Sequence, residues 1–306
     1  VNTFSDLRIA AAPISWGVCE APNWGYQAER ARVLGDMREL GIAATEFGPA
    51  GFLPTDPDRR ATVLADQGVR AIGGFVPLVL HREDLDPMPG LEAELDAFVA
   101  AGAEVLVVSV DAGGAGYDDK RELTDAEWAL VASRLDQVRS RASARGIRAV
   151  LHQHVGTLIE SPFAVDRLLR DTGIDLCLDT GHLVCGGVDP VRIVREHPDR
   201  IGHVHLKDVD ADVLGRVNAG ELSYTDGVSA GLFRPLGEGC ARIAETIGLL
   251  QSGGFDGWYV MEQDCRLDGP EGLDAALADV RASLAFLAEL PPRGGSRAPR
   301  RSRMRS

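Results

Sequence analysis

Five stretches with helical spacing end in a glycine that leads at once into an apolar run, and that cadence leaves few folds open to the chain. Gly41, Gly68, Gly102, Gly146 and Gly173 each stand just before a strand-like run, at 42–48, 69–78, 103–110, 147–156 and 174–182. Glycine closes helices because it takes the left-handed conformation a helix end needs. Repeated helix–glycine–strand segments make βα units, whose strands lie parallel. Apolar runs at 8–14, 201–209 and 257–264 bring the strands to eight. The helices between them are expected at 26–41, 56–68, 91–102, 125–146, 161–173, 189–198, about 238–250 and 270–289. Eight such units predict an α/β fold, a single-domain (β/α)8 TIM barrel over residues 1–290. An open doubly wound sheet would carry a glycine-rich turn after strand 1, but SWGVCEAPNWG (15–25) contains no GxGxxG.

Charge narrows the partners. The net charge is −14, yet the last sixteen residues (291–306) hold six Arg and no acid. Residues 1–290 therefore carry 26 basic against 46 acidic side chains, or −20, which repels a phosphate backbone and excludes nucleic acid as a general partner. The tail cannot build a core and is expected to be a disordered basic extension. Five Cys without a CxxC predict free thiols in a reducing compartment. No apolar run is long enough to span a bilayer, and VNTFSDLRIAAAP (1–13) does not read as a signal peptide, so a cytoplasmic location is expected.

The polar residues sit at strand ends. Five of the seven His fall in or just after strands 5 to 7: His152, His154, His182, His203 and His205. His152 and His154 are two apart and so face one way, as do His203, His205 and Lys207. Asp179, Glu262 and Glu46 end strands 6, 8 and 2. In a barrel these positions meet at the C-terminal face, where active sites are built. Imidazoles with carboxylates suit a divalent ion of intermediate hardness: Mn²⁺, Co²⁺, Fe²⁺, Zn²⁺ or Mg²⁺. The expected ligands are His152, Asp179, His205 and Glu262, with His154 competing for the strand-5 place. His203 is expected to orient His205. Glu46, His154, His182 and Lys207 are the candidate catalytic groups; Lys207 could alternatively pair with Glu262 or Asp208. Trp16 and Phe75 are either pocket walls or core. Gly181, Gly186 and Gly187 read as tight turns. His197 reads as a surface residue, and His81 reaches at most the pocket rim. The connection 208–237 is long enough to act as a lid or to add to a homo-oligomer interface.

An ion with open positions beside such groups fits proton abstraction next to a ketone. Loss of a neighbouring hydroxyl then gives dehydration, and reprotonation gives isomerisation or epimerisation. Spacing does not separate these outcomes.

The chain resembles the xylose-isomerase-like metal barrels, and within them the myo-inosose-2 dehydratases. The resemblance rests on Ala12, Pro13, Ile14 and Trp16, on TEFG (45–48), HQHVGT (152–157), LDTGHLVCGGVDP (178–190) and HVHLKDV (203–209). It implies a metal-dependent lyase of inositol catabolism, with a keto-polyol substrate such as 2-keto-myo-inositol and Mn²⁺ or Co²⁺ as the ion. A ketose isomerase or epimerase working through an enediolate is the alternative. The family usually has Glu as its strand-5 ligand, where this chain has His152. The segments 14–27 and 73–81 also depart from the dehydratase pattern.

Overall fold

A computed structural model describes residues 7–114, 117–118 and 121–291. The expected basic tail lies outside them, apart from Pro291.

Eight parallel strands close into a barrel: β1 (Arg8–Ala11), β2 (Ala44–Glu46), β3 (Arg70–Leu78), β4 (Val105–Val110), β5 (Arg148–His152), β6 (Asp175–Asp179), β7 (Ile201–Leu206) and, after a small pair described below, β10 (Trp258–Met261). β10 pairs with both β1 and β7, so there is no free edge. The helices α1 (Arg30–Glu39), α2 (Pro57–Asp66), α3 (Met88–Ala101), α4 (Asp125–Ser143), α5 (Pro162–Asp171), α6 (Thr180–Cys185) and α7 (Pro190–Glu196) follow the first six strands. The starts of several are written in the sequence. Asp56, Ser161 and Asp189 cap α2, α5 and α7 just ahead of a Pro, while Thr124 and Glu127 form a capping box on α4. No helix among the described residues is long and apolar enough to cross a membrane. All five cysteines are free thiols.

The core lies between barrel and helices, with Leu34, Phe98, Leu106, Leu135, Leu151 and Leu206 among its buried members. Inside the barrel Ala10, Ala44, Val107, Val150 and Cys177 are joined by the larger Ile72 and Trp258. Small residues there leave room for the polar side chains at the upper end.

The strands stop earlier than the sequence reading placed them. β5 ends at His152 and β6 at Asp179, so His154 lies in the following loop and His182 in α6. Gly181 is therefore helical and not part of a turn. The 208–237 connection also has structure. It contains the strand pair β8 (Asp208–Val209) and β9 (Phe233–Arg234), with α8 (Ala211–Asn218) and α9 (Tyr224–Ser229) between them. Beyond β9, helices α10 (Ile243–Ser252) and α11 (Leu273–Glu289) complete the ring.

Asp208 anchors this excursion. Its buried carboxylate accepts from the backbone N–H groups of Gly237 and Gly239 through Oδ2 (2.9 and 3.0 Å) and of Ala241 and Val209 through Oδ1 (2.9 and 3.0 Å). A Cβ on Gly239 would stand 2.4 Å from Oδ1, so the loop approaches this closely only with glycine there. Asp208→Ala leaves those donors unpaired and should lower unfolding stability by about 3 kcal/mol, read from the urea midpoint. A change within about 0.5 kcal/mol would show that water replaces the carboxylate.

Candidate metal centre

The DTGH segment and the HVHLKD segment interlock, and each residue has an identifiable task. Asp179 uses its two oxygens separately. Oδ1 caps α6 by accepting from the His182 N–H at 2.7 Å, which leaves Oδ2 turned to the barrel axis. The Thr180 hydroxyl donates to the Lys207 carbonyl (2.8 Å) and accepts from the Lys207 N–H (2.9 Å), locking α6 onto the end of β7. Gly181 is required by proximity: a Cβ would meet Lys207 Cγ at 2.6 Å.

Four donor atoms converge at the top of the barrel. One each from His152, Asp179, His205 and Glu262 all lie within 4.8 Å of one another, at the ends of four neighbouring strands. His152 Nε2 stands 3.3 Å from Asp179 Oδ2; His205 Nδ1 stands 3.6 Å from that oxygen and 2.9 Å from Glu262 Oε2. Despite the short distance, His205 Nδ1 makes no hydrogen bond. Ions of this class bind N and O donors at about 2.0–2.2 Å, which sets neighbouring donors about 3–3.5 Å apart. The observed spacing and the unbonded Nδ1 fit one divalent ion.

Charge fits as well. Asp179, Glu262 and Asp264 are buried or nearly so and face one ammonium, Lys207, while the buried Glu46 faces His203 and His205. In the ion-free chain the remaining compensation comes from His205. Burial alone would lower its pKa, but Cys177, Glu262 and Glu46 hold it well above the ordinary value. Burial pushes Asp264 up to about 6, with Glu262 adding to the effect and Lys207 opposing it.

The candidate catalytic groups divide. Lys207 is wholly buried and its Nζ has three close acceptors: Glu262 Oε1 (2.7 Å), Asp264 Oδ1 (2.7 Å) and His182 Nε2 (2.9 Å). Burial opposes its charge, yet Asp264, Glu262 and Asp179 hold its pKa well above normal. Of the two acidic partners weighed for Lys207, Glu262 is engaged and Asp208 is not; Asp208 is committed to the loop. His182 accepts from Lys207 through Nε2, and its Nδ1 faces the Val155 N–H at 3.5 Å. Glu46 Oε1 accepts from His203 and His205. His154 differs. Its Nδ1 is 2.6 Å from the Val155 carbonyl, so Nδ1 carries the hydrogen and Nε2 keeps its lone pair. Its ring lies against that of His182, tilted by 35° with centroids 3.7 Å apart.

The centre opens into a cavity of about 490 Å³ lined by His152, His154, His205, Glu262, Asp264, Glu20, Tyr117, Trp24 and Phe75, among others. Phe75 is a wall, edge-on to His152. Trp16 is core, its indole N–H bonded to Asp36. Asp264, Glu20 and Tyr117 went unnoticed in the sequence. Asp264 stands two residues past Glu262, the same interval as His203 and His205, and that repeat was a usable signal. Glu20 and Tyr117 form a hydrogen-bonded pair between two loops, which no local pattern announces.

A closed parallel barrel with an imidazole–carboxylate cluster on its C-terminal rim defines a class, and the comparisons with known proteins place the chain within it. The chain belongs to the xylose isomerase-like TIM barrel family, which matches residues 36–290. An inosose dehydratase of Geobacillus kaustophilus is 31% identical over 281 residues, covering 86% of this chain and 89% of the relative. In fold the chain is similar to an L-ribulose 3-epimerase (TM-score 0.66, 18% identity, 92% and 93% of the two chains covered) and to the IOLI protein with a bound zinc atom (TM-score 0.67, 10% identity, 92% and 98% covered).

Proposed function

We propose that this protein is a divalent-metal-dependent carbon–oxygen lyase that dehydrates a cyclic keto-polyol such as 2-keto-myo-inositol. The observation that carries the reading is the four-donor cluster of His152, Asp179, His205 and Glu262 opening into a cavity beside His154. The similarity to inosose dehydratases supports the substrate class. Two imidazoles and two carboxylates suit Mn²⁺ or Co²⁺, and the zinc of the IOLI protein supports a metal in this fold. When bound, the ion would supply Lewis-acid polarisation of the substrate ketone.

The rest falls to side chains. His154 Nε2, the one free imidazole nitrogen among the four candidate catalytic groups, takes the proton from the carbon next to the ketone. The C–O bond at the following carbon breaks, and the departing oxygen takes up the same proton from His154 and leaves as water. Burial, with His152 and Lys207 close by, pushes the His154 pKa down to about 3, so the ring is neutral and its Nε2 lone pair is available. Phe75 and Trp24 give the ring apolar walls, while Glu20 and Tyr117 offer polar contacts to its hydroxyls.

The test is to incubate Mn²⁺- or Co²⁺-loaded protein with 2-keto-myo-inositol and follow ultraviolet absorbance. Growth of an enolised-diketone band is expected, and His154→Ala should reduce its rate by about 10²–10⁴-fold. Interconversion of a ketose with its epimer, with no water lost, would instead assign the isomerase or epimerase reading.

A further inference from the structure

We infer that Glu46, which also lines the cavity, is a positioning residue that tunes the metal centre through His205, with His203 holding it in place. This rests on the metal reading above. Glu46 reaches into the barrel from β2, three strands round the ring from β7, and a register shift against β3 falls between Thr45 and Glu46. One oxygen, Oε1, accepts from His203 Nε2 at 2.9 Å and from His205 Nε2 at 3.1 Å. All three side chains are buried.

The consequence is a fixed tautomer. With its hydrogen on Nε2 and given to Glu46, a neutral His205 carries its lone pair on Nδ1. Nδ1 is the atom 2.9 Å from Glu262 Oε2 and free of hydrogen bonds, so the donor faces the other ligands. A carboxylate behind a ligating imidazole fixes the ring and raises its basicity. His203 has no comparable access to the cluster. Its Nε2 goes to Glu46, and its Nδ1 is buried without a partner, so its influence on the ion runs through Glu46.

Glu46, His203 and His205 also lie close enough to hold an ion themselves. At 2.9 and 3.1 Å the two Nε2–Oε1 contacts are closer than the 3.3 Å between His152 Nε2 and Asp179 Oδ2, and a count of bound ions separates the two arrangements.

Titration of the full-length, metal-stripped protein with Mn²⁺ and with Co²⁺ by calorimetry tests this without substrate. Glu46→Gln keeps the shape and removes the charge. It should weaken binding by about 10–100-fold while the circular dichroism spectrum is unchanged. His203→Gln should weaken it less, and the double variant should add little to Glu46→Gln alone, because the two residues act in series. Unchanged affinity in folded Glu46→Gln, or additive losses in the double variant, would overturn the inference. If Glu46→Gln does not fold, unchanged affinity in His203→Gln overturns it. A second ion per chain that is lost in Glu46→Gln and kept in His154→Ala would show that Glu46 is itself a ligand and would overturn the inference. No tight site in the unaltered protein would overturn both this inference and the metal reading.

Discussion

Removal of either His205 or Glu262 should strip the centre of its ion. In His205→Ala and Glu262→Ala, Mn²⁺ or Co²⁺ retained after gel filtration should fall from about one per chain to less than about a tenth, a larger loss than the ~10–100-fold that an outer partner costs. The two side chains contribute different things. Glu262 brings charge, and it stays ionised because Lys207 and His205 outweigh its burial. His205 brings the nitrogen that is the nearest donor to Glu262. The direction of the pH dependence follows. In the ion-free chain His205 sits well above the ordinary histidine value, because Cys177, Glu262 and Glu46 outweigh its burial. An incoming ion must displace that proton, so affinity should rise with pH and fall as pH drops. His152→Ala and His154→Ala separate the two strand-5 candidates. The geometry puts His152 in the cluster and gives His154 Nδ1 to a carbonyl, so the first variant should lose metal and the second turnover. Full occupancy in both His205→Ala and Glu262→Ala would sink the ligand set.

The barrel was legible because its signals are local. Apolar runs, helix caps and glycines mark βα units without reference to anything distant, and all eight barrel strands fall inside the expected runs. Strand ends were read too long for a physical reason. His154 continues the alternation begun at His152, but the chain turns after His152, where the Thr157 N–H bonds the His154 carbonyl; His182, three residues past Asp179, lies in α6, which Asp179 caps. Helices α8 and α9 were missed because Gly215 and Gly227 interrupt their patterns. Their caps, Asp210 and Ser223, were present in the sequence. The four residues of the cluster were legible as strand-end polar groups. Their pairing was not. That Lys207 meets Asp264 and not Asp208 depends on how the loop after β10 lies against the end of β7, and that Glu46 meets His203 depends on barrel closure.

Lys207→Met should therefore damage the protein more broadly than loss of a catalytic proton would. The ammonium is wholly buried with acceptors on Glu262, Asp264 and His182, and no N–H remains for a substrate oxygen. Methionine fills the stem's volume but leaves two carboxylates without their counter-charge. Breaking a buried pair in this way costs about 3–5 kcal/mol, which should appear as a lower urea midpoint in the metal-free protein. Metal affinity should rise, since the ion then supplies the charge that Lys207 gave Glu262 and Asp264. A charge balance restored by the ion would stabilise the variant more than the unaltered protein, so added Mn²⁺ should raise its Tm by the larger increment. The pH dependence has a definite sign. A lysine raised above its unfolded value contributes its full stabilisation below about pH 10.4 and loses it as pH climbs through the folded value. The stability gap between Lys207→Met and the unaltered protein should thus hold through neutral pH and narrow only in strong alkali. Normal stability and metal content in Lys207→Met, with turnover alone reduced, would return Lys207 to the role of a catalytic residue.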